Sequence, residues 1–149
     1  MTDRRIALLL TRPLAQSKGF VNIFEGVSQP SPVHICISPL LEIIFQGPLP
    51  DMSPYRSLIF TSSNGVRAFS QLKPSSILPS FTVGKVTAET AISVGLPAQM
   101  LGLDVQDFTE AILSLKPETP CLHLRGDISR SALATQLSNT GLATDEAIV

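Results

Sequence analysis

Three features of the sequence predict a doubly wound α/β fold built on a parallel sheet. Short apolar runs such as Leu58-Ile59-Phe60 lack polar alternation, the mark of strands buried on both faces. Each run is followed by apolar residues at helical spacing, as in Val66, Phe69 and Leu72. The two patterns then alternate to the end of the chain, which places consecutive strands parallel with right-handed crossovers.

Composition sets the bounds. The 149 residues are enough for one ordinary domain with a core. A hydrophobic content of 44% with 15% charged residues marks a globular chain, not a disordered one. A net charge of −1 removes the electrostatic case for nucleic acid or an anionic membrane surface as partner. No apolar run approaches the ~20 residues of a spanning helix. Two basic residues, Arg4 and Arg5, precede the apolar run Ile6 to Leu10. That run is shorter than the ~7–15 residues of a signal h-region and meets Thr11-Arg12-Pro13 instead of a cleavage site. It therefore reads as a strand, and a cytoplasmic location is the expectation. Cys36 and Cys121 lie in apolar strand-like runs and read as buried thiols, not a disulfide.

In chain order, Arg5 to Thr11 is the first predicted strand. Pro13 suits the first turn of a helix from about Leu14 to Phe24, with Phe20, Val21 and Phe24 inward. A break at Gln29-Pro30-Ser31-Pro32 precedes a strand at Val33 to Ile37. Ser38-Pro39 then leads into a second strand-like piece ending at Ile44, a crossover between sheets, since proline cannot sit in mid-ladder. Gly47 to Pro54 is a loop. Beyond it come a strand at Leu58–Phe60, a helix at Asn64–Lys73, a strand at Phe81–Val83 and a helix at Thr87–Val94 closed by Gly95. A weak strand near Gln99–Leu101 precedes a helix that Asp107 and Glu110 open as a capping box, with Phe108, Ala111, Ile112 and Leu115 along it. Cys121–Leu124 is a strand, Ser129–Asn139 a helix stopped by Gly141, and Glu146–Val149 a last apolar piece. The opening βα unit lies before the crossover and lacks neighbours for a sheet of its own.

In sheets of this kind ligands gather beyond the carboxyl ends of the strands. Thr11-Arg12, Thr61–Asn64, Gly84–Thr87 and Arg125-Gly126 all fall there. Thr61, Ser62, Ser63 and Asn64 stand where a helix begins, with unpaired N–H groups and the positive end of the dipole, a cradle for an anion. Ser63 or Asn64 equally suits a plain helix cap. Gly84-Lys85-Val86-Thr87 is a second such turn, though a lysine there is usually just solvated. Arg12 and Arg125 suit paired bonds to carboxylates, or surface positions with packed stems. His34 and His123 sit inside predicted strands with no Cys or carboxylate at ligand spacing, so structural roles are expected and no metal site. Tyr55 reads as a packing residue. No phosphate-binding glycine loop, nucleophile elbow or zinc-protease pattern is present.

Taken in order, six pieces resemble one family. They are Leu9-Leu10-Thr11-Arg12-Pro13, Ser38-Pro39-Leu40-Leu41-Glu42-Ile43, Leu58 to Val66, Val83-Gly84-Lys85-Val86-Thr87-Ala88, His123-Leu124-Arg125-Gly126 and Glu146-Ala147-Ile148-Val149. The chain is similar to the N-terminal part of uroporphyrinogen-III synthases. That resemblance implies two α/β domains joined by a two-stranded linker. The reaction it implies closes the linear tetrapyrrole hydroxymethylbilane into a macrocycle, inverting the last ring and losing water, with no cofactor or metal. Residues 1–37 would open a discontinuous first domain, 38–48 would be one linker strand, 49–145 a complete second domain, and 146–149 the start of the return strand. The substrate's carboxylates would meet Thr61, Ser62 and Asn64 in the cleft, with Thr87 matching a cleft-facing threonine. A tyrosine proposed in the family as the acid would lie past Val149. The expectations are a partial catalyst, inactive alone, whose unpaired first strand favours a dimer or swapped assembly. The alternative is a non-catalytic α/β module binding an anionic small molecule.

Overall fold

The computed structural model describes residues 6–27, 33–74, 76–128 and 132–149. Contacts divide the chain into two units, Met1–Ile44 and Phe45–Val149.

In the first unit, β1 (Ile6–Leu10) and β2 (Val33–Ile37) flank α1 (Leu14–Val27). The two strands pair in parallel over their full length, Ile6 opposite Val33 through Leu10 opposite Ile37. The first strand is thus not unpaired, as the sequence reading had it: the run after the prolines belongs to the same small sheet. Helix α1 continues a turn past the expected end at Phe24. Its only buried residue is Ser17, whose hydroxyl donates to the Arg12 carbonyl at 3.0 Å; Phe20 stacks on Phe24 but is exposed. The predicted break at Gln29–Pro32 lies outside the described residues. So do Arg5 and the first residues of the helix expected from Ser129.

The expected linker strand at 38–48 does not form as a strand in this unit or the next. Ser38 and Leu40 donate their N–H groups to the carbonyls of Leu10 and Thr11, after which the segment has no ladder partner. Leu40, Leu41, Ile43 and Ile44 are exposed. An apolar run becomes a strand only against a neighbour. Cys36 also departs from expectation: it is exposed, on the face of β2 that alternates outward, as is His34.

The second unit is the doubly wound sheet. Strands β3 (Ser57–Phe60), β4 (Ser80–Val83), β5 (Ala98–Gly102), β6 (Cys121–Arg125) and β7 (Thr144–Ile148) are all parallel in the order β5-β4-β3-β6-β7. Helices α2 (Ser63–Gln71), α3 (Lys85–Ser93), α4 (Val105–Leu115) and α5 (Leu133–Asn139) connect them. Leu58, Ile59 and Phe60 are each 0% exposed, which is what a continuous apolar run in the central strand requires. Alternate residues of that strand feed two cores. Leu58 and Phe60 join Val66, Phe69, Ala91, Leu122 and Leu124 on the α2/α3 side. Ile59 joins Phe81, Val83, Phe108, Ile112, Leu133 and Leu137 on the α4/α5 side. Phe60 meets Phe69 edge-on at 5.8 Å between ring centres. Burying each ring is worth about 1.5–3 kcal/mol.

Three boundaries moved for physical reasons. The cap of α4 is Asp104, not Asp107: its Oδ1 accepts from the N–H groups of Gln106 and Asp107, both at 2.9 Å. Helix α3 begins at Lys85, directly after Gly84 at φ 77, a left-handed value open to glycine. The closing apolar piece begins at Thr144, so the boundary expected at 145/146 falls inside β7. Pairing of Cys121 with Thr144 through Arg125 with Ile148 makes it the edge of the sheet.

Candidate functional site

The order of the strands defines where a ligand crevice lies. From central β3 the chain moves outward through β4 to β5, then crosses to β6 on the other side of β3. Helices α2 and α3 cover one face and α4 and α5 the other. The winding therefore reverses between β3 and β6, and in sheets of this kind the ligand crevice is expected outside the carboxyl ends at that point. Thr61 to Asn64 and Arg125-Gly126 are the residues at those ends.

The turn after β3 is set by its cap. Ser62 is extended, at φ −152 and ψ 150, and its Oγ accepts from the Gly65 N–H at 3.3 Å. Ser62 is thus the cap, one residue before the two that sequence reading offered. Ser63 and Asn64 form the first turn, where N–H groups have no intrahelical acceptor. Their side chains both accept from Arg67 Nη1, at 3.1 and 3.2 Å. This guanidinium adds a positive charge beside the helix start, and sequence reading missed it. The signal was there: Arg67 lies three and four residues past Asn64 and Ser63, one helical turn away. Gly65 lets α2 sit close to the sheet, since a Cβ there would lie 2.8 Å from the Leu124 carbonyl oxygen.

A polar cluster lies on one face of the sheet near these ends. Register sets Ile59 opposite His123 and His123 opposite Glu146, so Thr61, His123 and Glu146 share one face. Thr61 Oγ1 lies 3.3 Å from His123 Nε2. His123 Nδ1 faces Glu146 Oε1 at 3.7 Å and has no hydrogen-bond partner. Glu146 Oε2 accepts from Arg125 Nε at 2.7 Å. Arg125 Nη1 also donates to the carbonyls of Gly126 and Asp127, at 2.9 and 3.0 Å. Burial, at 1% exposure, pushes the His123 imidazole below its ordinary range; Glu146 pulls upward and Arg125 downward. For Glu146 burial pushes upward, but the bond and charge of Arg125, with His123, hold the carboxyl below its usual value. Sequence reading placed His123 as structural and left Glu146 out; only the register shows that they meet.

The other candidates are distributed around this crevice or apart from it. Gly84 caps and Lys85 opens α3, just past the adjacent strand β4; Lys85 is exposed and 3.7 Å from Glu89. Thr87, matched to a cleft-facing threonine, is buried at 6% exposure. Arg12 follows β1 in the first unit and is exposed. Tyr55 packs against the α2/α3 core, and its hydroxyl donates to Asp145 Oδ2 at 3.1 Å. That bond ties the segment before β3 to β7. Among the described residues, no three His, Cys, Asp or Glu side chains are grouped to hold a metal ion. Among the same residues no helix is long and apolar enough to cross a membrane.

Fold and crevice define a doubly wound parallel α/β protein with polar strand ends suited to an anionic ligand. Comparison with known proteins makes this specific. The family described as uroporphyrinogen-III synthase HemD matches residues 32–149. The chain belongs to the uroporphyrinogen-III synthase family. Its fold is similar to the crystal structure of the uroporphyrinogen-III synthetase from Helicobacter pylori, with a TM-score of 0.61 and 24% identity. That likeness covers 82% of this chain and 56% of the other, so the chain spans little more than half the length of that solved relative. No curated protein matches it.

Proposed function

We propose that this chain supplies one wall of a uroporphyrinogen-III synthase, the lyase that closes hydroxymethylbilane into uroporphyrinogen III in heme biosynthesis. Family membership supports the reaction class. The observation that carries the site is the crevice between the carboxyl ends of β3 and β6, with its helix start, hydroxyls and Arg67. A linear tetrapyrrole is rich in carboxylates. The N–H groups of Ser63 and Asn64, the hydroxyls of Thr61 and Ser62, and the exposed Lys85 receive such groups without a strongly basic surface. Thr87 and Gly84 shape the neighbouring strand end.

In this reading the leaving hydroxyl departs as water from the terminal ring, leaving an azafulvene cation. The substituted carbon of the last ring, at the other end of the substrate, attacks that cation. Its bond to its own methylene bridge then breaks and re-forms at the ring's other α carbon, which inverts the ring and releases the proton taken up when water left. The chain's part is to hold the carboxylates so that both ends of the substrate meet. No cofactor is called for by this chemistry, and the reaction suits the cytoplasm. Residues 1–37 act as part of one domain and the sheet from residue 49 through β7 as the other, with 38–48 as the chain segment between them. The exposed apolar residues of the first unit favour a dimer or swapped assembly of this chain.

Turnover tests the reading. Hydroxymethylbilane is incubated with the 149-residue chain and with the full product of its gene, and type III isomer is separated from spontaneously formed type I. Type III product is expected where both walls are present, and Thr61→Val with Ser62→Ala is expected to reduce it. Binding of uroporphyrin without type III product in any form would favour the non-catalytic anion-binding module instead.

A further inference from the structure

We infer that Glu146, His123 and Thr61 form a proton-linked relay that turns the Thr61 hydroxyl into a donor to a ligand carboxylate. The inference deepens the reading above and rests on it for the chemistry of the ligand. Three contacts carry it. His123 is 1% exposed, its Nε2 lies 3.3 Å from Thr61 Oγ1, and its Nδ1 faces Glu146 Oε1 at 3.7 Å. Thr61 is half-buried at the crevice, so it joins a buried base to the ligand side.

The charged and titratable groups around the imidazole fix its states. From β7 it meets Glu146, and on its own strand Arg125 and Cys121. Arg125 is tied to Glu146, while the Cys121 thiol is pushed up by burial, stays neutral, and lies 3.4 Å from the Ser57 hydroxyl. The β3 neighbours are Ile59 and Thr61. The buried residues of α4 and α5 on this side are Phe108, Ile112, Leu133 and Leu137, none of which titrates.

In the neutral imidazole the Glu146 carboxylate draws the single proton to Nδ1, leaving Nε2 to accept from the Thr61 hydroxyl. Thr61 then presents only lone pairs to the crevice, which an anion does not favour. When Nε2 takes a proton from solvent, the imidazolium donates to Thr61 Oγ1. The hydroxyl proton of Thr61 rotates toward the ligand and donates to its carboxylate. One proton enters, and no bond of the ligand breaks. By linkage, the carboxylate tightens proton binding at His123 as much as the proton tightens the carboxylate. His123 is a positioning residue: it acts through Thr61.

The test uses nitrogen NMR of the 149-residue chain with uroporphyrin I, a carboxylate-rich porphyrin, as probe. The two histidines are told apart by a His34→Asn variant. In the free protein at pH 7.5, His123 is expected as the Nδ1–H tautomer, and Thr61→Val is expected to move the Nε2 resonance. Saturating uroporphyrin I is expected to raise the His123 titration midpoint by about one unit, equivalent to tenfold tighter binding to the protonated form. In Thr61→Val, binding is expected to weaken, and at saturating uroporphyrin I the rise disappears. An Nε2–H tautomer, or an equal rise in Thr61→Val, overturns the relay while leaving the family reaction standing. If uroporphyrin I does not bind, the proposed function falls. The relay is then kept by the Nδ1–H tautomer with its sensitivity to Thr61→Val, and refuted without them.

Discussion

Replacing Gly65 with alanine isolates the contact that seats the ligand-side helix on the sheet. Alanine is the better helix former by about 1 kcal/mol, so on propensity alone the variant gains stability. The structure reverses the sign. The added Cβ would lie 2.8 Å from the carbonyl oxygen of Leu124 and 3.6 Å from Phe60 Cδ1. The oxygen belongs to the backbone of buried β6, which pairs on both sides and cannot turn away. Helix α2 must lift by several tenths of an ångström at its first turn. Overpacking of this kind costs about 1–3 kcal/mol, and a backbone obstacle places it at the upper end. Net destabilisation is then about 2 kcal/mol after the propensity gain, a drop of roughly 8 °C in Tm for a domain of this size. Urea titration followed by circular dichroism reads it, with Gly126→Ala as control, since nothing lies within 4 Å of that Cβ. A Gly65→Ala chain as stable as the parent would mean that α2 does not rest against β6. The crevice geometry would then have to be redrawn.

Three further outcomes are expected. Asp104→Ala removes the acceptor of two helix N–H groups and is expected to cost about 1 kcal/mol, more than Asp107→Ala, when urea midpoints are compared. Cys36 is expected to react at once with a thiol reagent and Cys121 only on unfolding, because the first is exposed and burial raises the second. Stability is expected to fall as pH drops below 6.5, the ordinary value of the imidazole. His123 has a lowered value when folded, so the unfolded chain binds more protons there, and stability is complete above 6.5 and lost below it. Glu146, also lowered, adds a second loss below 4.5. A urea midpoint unchanged between pH 7.5 and 5.5 would contradict the burial of His123.

The second unit was legible because its signals are local. Leu58 to Phe60 announces a doubly buried strand, Ser62 to Asn64 a helix start, and Gly95 and Gly141 two stops, both at left-handed φ. Capping erred by one turn at α4 because Asp107 and Asp104 both suit a cap, and only the fold decides which carboxylate reaches the N–H groups. The 38–44 segment misled because apolar content marks a strand only when a partner is present, and partners are not written in the segment itself. The same limit hid the polar cluster. His123, Glu146 and Thr61 are remote in sequence, and pairing of β6 with both β3 and β7 brings them together.

The strand order has a consequence for how the chain comes together in time. Neighbours β3, β4 and β5 are joined by single helices and assemble from nearby segments. The other side of β3 waits for β6, across a sequence separation of 64 between Ser57 and Cys121. Closing so long a loop is slow because its entropy is spent before the pairing repays it. The most apolar strand of the sheet therefore has one open edge during synthesis, until residues beyond Cys121 arrive. The seam that closes late is the one whose end forms the ligand crevice. Amide exchange along β3 and β6 is accordingly expected to slow most when that crevice is filled.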